Sequence, residues 1–113
     1  MHQIKYMKVI FEDKEIQELI QNRKSKKYKD LTKKAGFVDR LVYIYTVISA
    51  AQNAQELYNY SWMHYEALKH EYSGYNSIRI KNGWVERLIV KESDEGITIE
   101  MIEINTDHYG NKK

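Results

Sequence analysis

The sequence predicts an α+β domain: an N-terminal strand, then two helices packed on one face of a small, twisted, mainly antiparallel sheet. Three observations carry this. Late in the chain, Ser77–Lys81, Arg87–Lys91 and Ile97–Met101 each alternate apolar with polar residues, as half-buried strands must. One long segment, Leu31–Ala51, repeats apolar residues at helical spacing instead. Turn chemistry falls between the strands, at Asn82-Gly83 and at Asp94-Glu95-Gly96.

In chain order, Ile4–Phe11 mixes Ile4, Tyr6, Val9, Ile10 and Phe11 with lysines and reads as a first strand that joins the sheet beside a later one. Asp13 then stands where an N-cap belongs, with Glu12 and Glu15 placed favourably for the helix dipole, and Ile16, Leu19 and Ile20 give a short helical face that frays into lysines. In the long helix Phe37, Leu41, Ile44, Ile48 and Ala51 form one stripe, widened by Val38, Val42 and Tyr45, and Gly36 divides it from a preceding turn. The stripe covers the greasy face of the sheet. Asn53–Tyr60 loses periodicity and reads as a connecting loop, and Met63–Lys69 reads as a short strand or turn that delivers His64 and Lys69 to the sheet. Tyr58, Tyr60, Trp62, Tyr65, Tyr72 and Tyr75 crowd this approach, a composition that suits base stacking, a protein interface or a wet core edge.

Face assignment separates grease from charge. Ile78 and Ile80 oppose Ser77, Arg79 and Lys81; Leu88 and Val90 oppose Arg87, Ile89 and Lys91. A strict two-residue Asn82-Gly83 loop would set Arg87 against Ile78, a charge across from a core residue. A one-residue bulge near Val85–Arg87 removes the conflict by aligning Leu88 with Ile78 and Arg87 with Arg79. Two arginines side by side repel unless an anion lies between them, so the pair is a candidate phosphate clamp. The plainer reading pairs Arg79 with Glu86 or Glu100 on a solvated face.

At 113 residues, 1–113 is a single domain, long enough to bury about two thirds of its unfolded surface. It has no cysteine, which excludes disulfides, thiolate nucleophiles and cysteine-based zinc sites. No apolar stretch resembles a signal peptide or a membrane span, so a soluble cytoplasmic protein is expected. Charge is unevenly spread. Residues 1–40 carry eleven Lys or Arg against six Asp or Glu, a net of +5, while 41–113 carry seven against ten, a net of −3. The excess centres on Arg23, Lys24, Lys26, Lys27 and Lys29, with Lys33 and Lys34 beyond; this is either a nucleic-acid phosphate contact or an ordinary solvated helix end.

There is no Gly-rich phosphate loop, no His-Glu-x-x-His motif, no Gly-x-Ser-x-Gly elbow and no carboxylate spacing that suggests a metal; the four histidines are too scattered to propose as ligands. Neither a metal nor another cofactor is expected. Met63–Lys69, Gly74–Ile80, Arg87–Lys91 and Glu103–Tyr109, with Ala50–Leu57 before them, resemble the RelE/HigB (RelE/ParE) superfamily of bacterial toxins from type II toxin–antitoxin modules. The resemblance covers about residues 36–110, and its most specific parts are Gly-Tyr-x-Ser-Ile-Arg and the C-terminal histidine. This chain has Asp107-His108-Tyr109 where many relatives have Asp-Tyr-His.

The resemblance implies a RelE-like fold with a concave basic sheet face, entry to the ribosomal A site, cleavage of mRNA there with arrest of translation and growth, and silencing by a cognate antitoxin. The chemistry these residues support is attack by the 2′-hydroxyl on its own phosphate, which needs in-line placement, a base, an acid and cations for the phosphorane charge. Arg79 and Arg87 are placed to hold the phosphate, and Lys69, Lys81, Lys91, Arg23, Lys24, Lys26 and Lys27 the RNA backbone. His108 and His64 are the candidate base and acid, and Tyr109 or Trp84 a stacking platform. Two rival readings are a ParE-type gyrase inhibitor and a non-catalytic RNA-binding module.

Overall fold

The computed structural model describes residues 6–106. Five strands, β1 (Lys8–Phe11), β2 (Glu66–Ala67), β3 (Asn76–Arg79), β4 (Arg87–Ser93) and β5 (Thr98–Asn105), form one sheet in the order β1-β5-β4-β3-β2. β1 lies parallel to β5, and every other neighbouring pair is antiparallel. Three helices, α1 (Lys14–Asn22), the single-turn α2 (Lys29–Thr32) and α3 (Phe37–Ala50), follow β1. The α+β architecture and the placing of the first strand beside a later one are as the sequence predicts.

α3 presents the expected stripe. Phe37, Val38, Leu41, Ile44 and Ile48 are buried with Ile16 and Leu19 of α1 against Ile78, Leu88, Val90, Ile99, Met101 and Ile104 of the sheet. The helix is shorter than the periodicity alone implies, because Gly36 adopts φ +80° at its N-cap and separates it from α2. A left-handed backbone there is far easier for glycine than for a residue with a side chain. Asn53–Tyr60 is not a plain loop. Ala54–Asn59 winds as a 3₁₀ helix, capped by the Asn53 side chain accepting from the Glu56 N–H.

Two sheet details depart from expectation, and they are linked. Arg79 does align with Arg87, and Ile78 with Leu88, but no bulge in a tight hairpin brings this about. A seven-residue connection, 80–86, absorbs the register, and of the two central turn residues only Gly83 has positive φ, so the type I′ geometry is absent. The register shift sits between β4 and β5 instead. There Ile89 faces Glu103 and Val90 faces Met101, leaving Ile102 as the extra residue. Skipping Ile102 restores alternation, which carries β5 four residues beyond the predicted end at Met101.

β1 ends opposite Met101, so the far half of β5 needs other partners. The Glu12 and Asp13 N–H groups both donate to the Met101 carbonyl, and the Tyr28 hydroxyl accepts from the Ile104 N–H at 3.0 Å. Tyr28 donates in turn to Asp13 at 2.6 Å, whose carboxylate also caps α1 through the Glu15 N–H and receives Lys27 at 2.8 Å. Burial raises the Asp13 pKa, but the hydrogen bonds from Lys27, Tyr28 and the Glu15 N–H outweigh it and leave the carboxyl below its usual 3.8. Burial and the bond to Asp13 push Tyr28 up to about 12, so it stays neutral.

Replacing Tyr28 with Phe leaves the buried Ile104 N–H without its acceptor. The expected effect is a drop of about 1–2 kcal/mol in unfolding free energy, read as a lower denaturant midpoint at unchanged slope. Because the folded Asp13 pKa is depressed, its contribution is present above the unfolded value and fades as pH falls through the folded one. An Asp13→Asn protein is therefore less stable at pH 7, and its deficit relative to wild type shrinks below about pH 4. Denaturant titrations at pH 7 and pH 3 check both.

Candidate functional site

The sheet face away from the helices carries the site. Arg79 ends β3 and Arg87 begins β4, directly paired, and Arg87 pairs on its other side with Asn105 of β5. One row of that face therefore reads Arg79–Arg87–Asn105. Like charges opposite each other destabilise a ladder unless something holds them. Arg87 is held by backbone: its Nη1 donates to the carbonyls of Trp84 (3.0 Å), Glu86 (3.3 Å) and Val85 (3.5 Å). Arg79 reaches the Asn82 side chain at 3.5 Å. Among the described residues neither guanidinium has an ion pair. Glu86, one of the two carboxylates the plainer reading assigned to Arg79, is turned away.

Glu86 is 7% exposed and receives the Lys34 ammonium at 2.9 and 3.1 Å. Beside it Trp84 stacks on Phe37 at 5.8 Å with Lys34 at 4.5 Å from the ring, and Arg40 donates to the Ile80 carbonyl at 2.8 Å. These contacts fasten the 80–86 loop to the helix layer. The loop's two ends are Arg79 and Arg87, so fastening it sets their spacing. Trp84, expected as a stacking platform, is half-buried and engaged with Phe37, Lys34 and Lys81.

The next row along the strands is Ser77–Ile89–Glu103, joined at the edge by Glu66 of β2. Strand alternation puts Ile89 on an open basic face, yet it is 1% exposed. The segment after β2 reaches this row: the Tyr72 hydroxyl lies 3.3 Å from Glu103 and receives the Asn105 amide at 3.0 Å, which brings its side chain to β5. Glu66 is a candidate site residue that sequence reasoning missed. Its pairing with Ser77 puts its side chain on the arginine face, and His64 Nε2 stands 3.4 Å from its carboxylate. His64 precedes β2 in a left-handed turn, φ 46° and ψ 48°. The register that reveals Glu66 depends on the two-residue strand β2, too short to leave a pattern in sequence.

The remaining predicted residues divide. Lys69, Lys81 and Lys91 are exposed, Lys91 lying 6.0 Å from the Tyr75 ring. In the basic cluster Arg23 is paired with Asp39 and Lys27 with Asp13. Lys24 and Lys26 are exposed or nearly so, and the Lys26 and Lys27 N–H groups and the Ser25 hydroxyl all donate to Glu15, which fixes the loop. That loop closes a cleft with Ile104 and Thr106 at the end of β5, on the helix side of the sheet. Of the tyrosine-rich approach, Tyr65 is a buried core edge donating to Glu92 at 2.6 Å, while Trp62, with Tyr43 of α3, flanks Arg40. His108 and Tyr109 lie outside the described residues. Among the described residues no group of three or more His, Asp or Glu side chains is arranged to hold a metal ion, and no helix is long and apolar enough to cross a membrane.

Solved structures share this fold. A YoeB/ParE toxin from Agrobacterium tumefaciens superposes with a TM-score of 0.54 at 17% identity, over 88% of this chain and 98% of that one. This is a RelE-like toxin fold. A YoeB–YefM complex from Staphylococcus aureus matches it with a TM-score of 0.53 at 18% identity, over 88% of this chain and 94% of the other. No family model matches the sequence, and no curated protein does either. The likeness is thus one of fold, at 17–18% identity.

Lys34 fastens the loop of this RelE-like sheet through a carboxylate that is nearly dry. Lys34→Met alone strands Glu86 and is expected to cost about 2 kcal/mol, whereas Lys34→Met with Glu86→Met recovers most of it. Thermal or denaturant unfolding of the two proteins makes the comparison.

Proposed function

We propose that this protein is the toxin of a type II toxin–antitoxin pair and acts as a ribosome-dependent mRNA endonuclease. One observation carries the proposal: two arginines set side by side on the outer sheet face, neither neutralised by a carboxylate among the described residues. Such a pair presents convergent N–H donors to a phosphate and relieves its own repulsion by holding one. The RelE-like fold supports the reading, and so does the position of Asn105 beside Arg87, three residues before His108 in the chain.

The reaction is an internal transfer. A base takes the 2′-hydroxyl proton, O2′ attacks the adjacent phosphorus, the P–O5′ bond breaks, and an acid protonates the departing 5′ oxygen, leaving a 2′,3′-cyclic phosphate and a 5′-hydroxyl. Arg79 and Arg87 bind the phosphate and stabilise charge on its oxygens. Glu66, His64 and His108 supply the titratable groups, and Lys69, Lys81 and Lys91 meet the flanking backbone. The partner that silences it is an antitoxin covering the arginine face.

Induction in a bacterial host followed by mapping of mRNA 5′ ends within minutes tests this. New ends inside translated frames are expected for wild type and are expected to fall at least about a hundredfold for Arg87→Gln and His108→Ala. Arrest without new ends would overturn the nuclease and direct attention to gyrase.

A further inference from the structure

A carboxylate sits where an anionic substrate is meant to lie. Glu103 is one row from Arg87 on the same face, about 7 Å along the strands. It does not pair with either arginine. Its contacts are the Tyr72 hydroxyl at 3.3 Å and the Asn105 amide at 3.4 Å, both through Oε2 and both long. An acid beside a phosphate clamp weakens phosphate binding unless it meets a part of the substrate that donates. The donors a ribonucleotide offers near its phosphate are the 2′-hydroxyl, whose proton the reaction itself consumes, and the N–H groups of its base.

We infer that Glu103, oriented by Tyr72 and Asn105, reads the Watson–Crick edge of an unstacked base next to the held phosphate, with guanine preferred. This rests on the nuclease reading and names its specificity. Guanine offers two adjacent donors, N1–H and the 2-amino group, that match the two oxygens of an ionised carboxylate, which accepts only. Cytosine and adenine offer one exocyclic amine. Uracil sets carbonyl oxygens on both sides of its single N–H against the carboxylate. Ile89 beside it is buried, 1% exposed, and cannot compete for hydrogen bonds, and the aromatic next to Glu103 is Tyr72, whose ring is set edge-on to Tyr75 at 6.4 Å. Single-stranded RNA is read in this way, by splayed bases stacked on aromatic rings and bonded along their Watson–Crick edges.

The test compares cut sites on one transcript for wild type, Glu103→Gln, Glu103→Asp and Tyr72→Phe, each checked for an unchanged unfolding midpoint. Wild type is expected to cut with guanine enriched at one fixed distance from the break. In Glu103→Gln that enrichment falls about tenfold or more and the cuts spread over the other bases, because an amide cannot accept from both donors. Glu103→Asp keeps guanine first with weaker enrichment, and it serves if the glutamine protein fails to fold. The same base profile in wild type and Glu103→Gln overturns the inference and leaves the nuclease intact. Loss of all cutting in a folded Glu103→Gln also overturns it, making Glu103 a group in the chemistry. No new ends in wild type removes the nuclease reading and this inference together.

Discussion

The register between β3 and β4 is the constraint on which the rest of this molecule depends. It sets Ile78 opposite Leu88 in the core and, one residue further, Arg79 opposite Arg87 on the outer face. A slip of one residue exchanges the faces, burying a guanidinium and exposing the core, so the hydrophobic requirement and the charged pair are specified by the same hydrogen bonds. The register is imposed from both ends. Leu88 and Val90 are gripped by Ile104 and Met101 of β5, and the 80–86 loop is tied to the helices through Glu86–Lys34, Trp84–Phe37 and Arg40–Ile80.

That fastening explains why the helix layer matters to a face it does not touch. α3 contributes Phe37 and Arg40, and the turn before it contributes Lys34. Each holds the loop whose ends carry the arginines. On the other side of β5, Tyr28 and Asp13 take over where β1 stops, so the last strand stays extended as far as Asn105. The result is a row of polar side chains at one end of a sheet whose other face is apolar at that level.

Much of this is legible in the sequence. Alternation marks the three late strands, spacing marks α3, Asp13 announces its cap, and the clash of Arg87 with Ile78 in a tight hairpin is enough to infer the correct alignment. The device that achieves it is not legible, because a seven-residue loop and a tight loop with a bulge produce the same register, and only the loop's contacts with Lys34 and Phe37 distinguish them. The pattern ends β5 early since Ile102, squeezed out of the ladder, breaks the period. Tyr72, Glu66 and Glu103 are invisible as candidate site residues for another reason: each reaches the arginine face through a two-residue strand, a loop or a shifted register, none of which leaves a local pattern. Trp84 shows the reverse, an aromatic with a signal for stacking that the fold uses to hold a loop.

On the proposed function, Arg79 and Arg87 together hold a phosphate of single-stranded RNA. The most direct measurement is the salt dependence of binding to a short RNA blocked at its 2′-hydroxyls, for wild type and for Arg79→Gln/Arg87→Gln. Each phosphate that a protein neutralises on a single strand steepens the fall of log affinity with log salt by about 0.7. A slope shallower by about 0.7 is expected for the double variant at an unchanged unfolding midpoint; identical slopes in the two proteins would contradict a phosphate clamp.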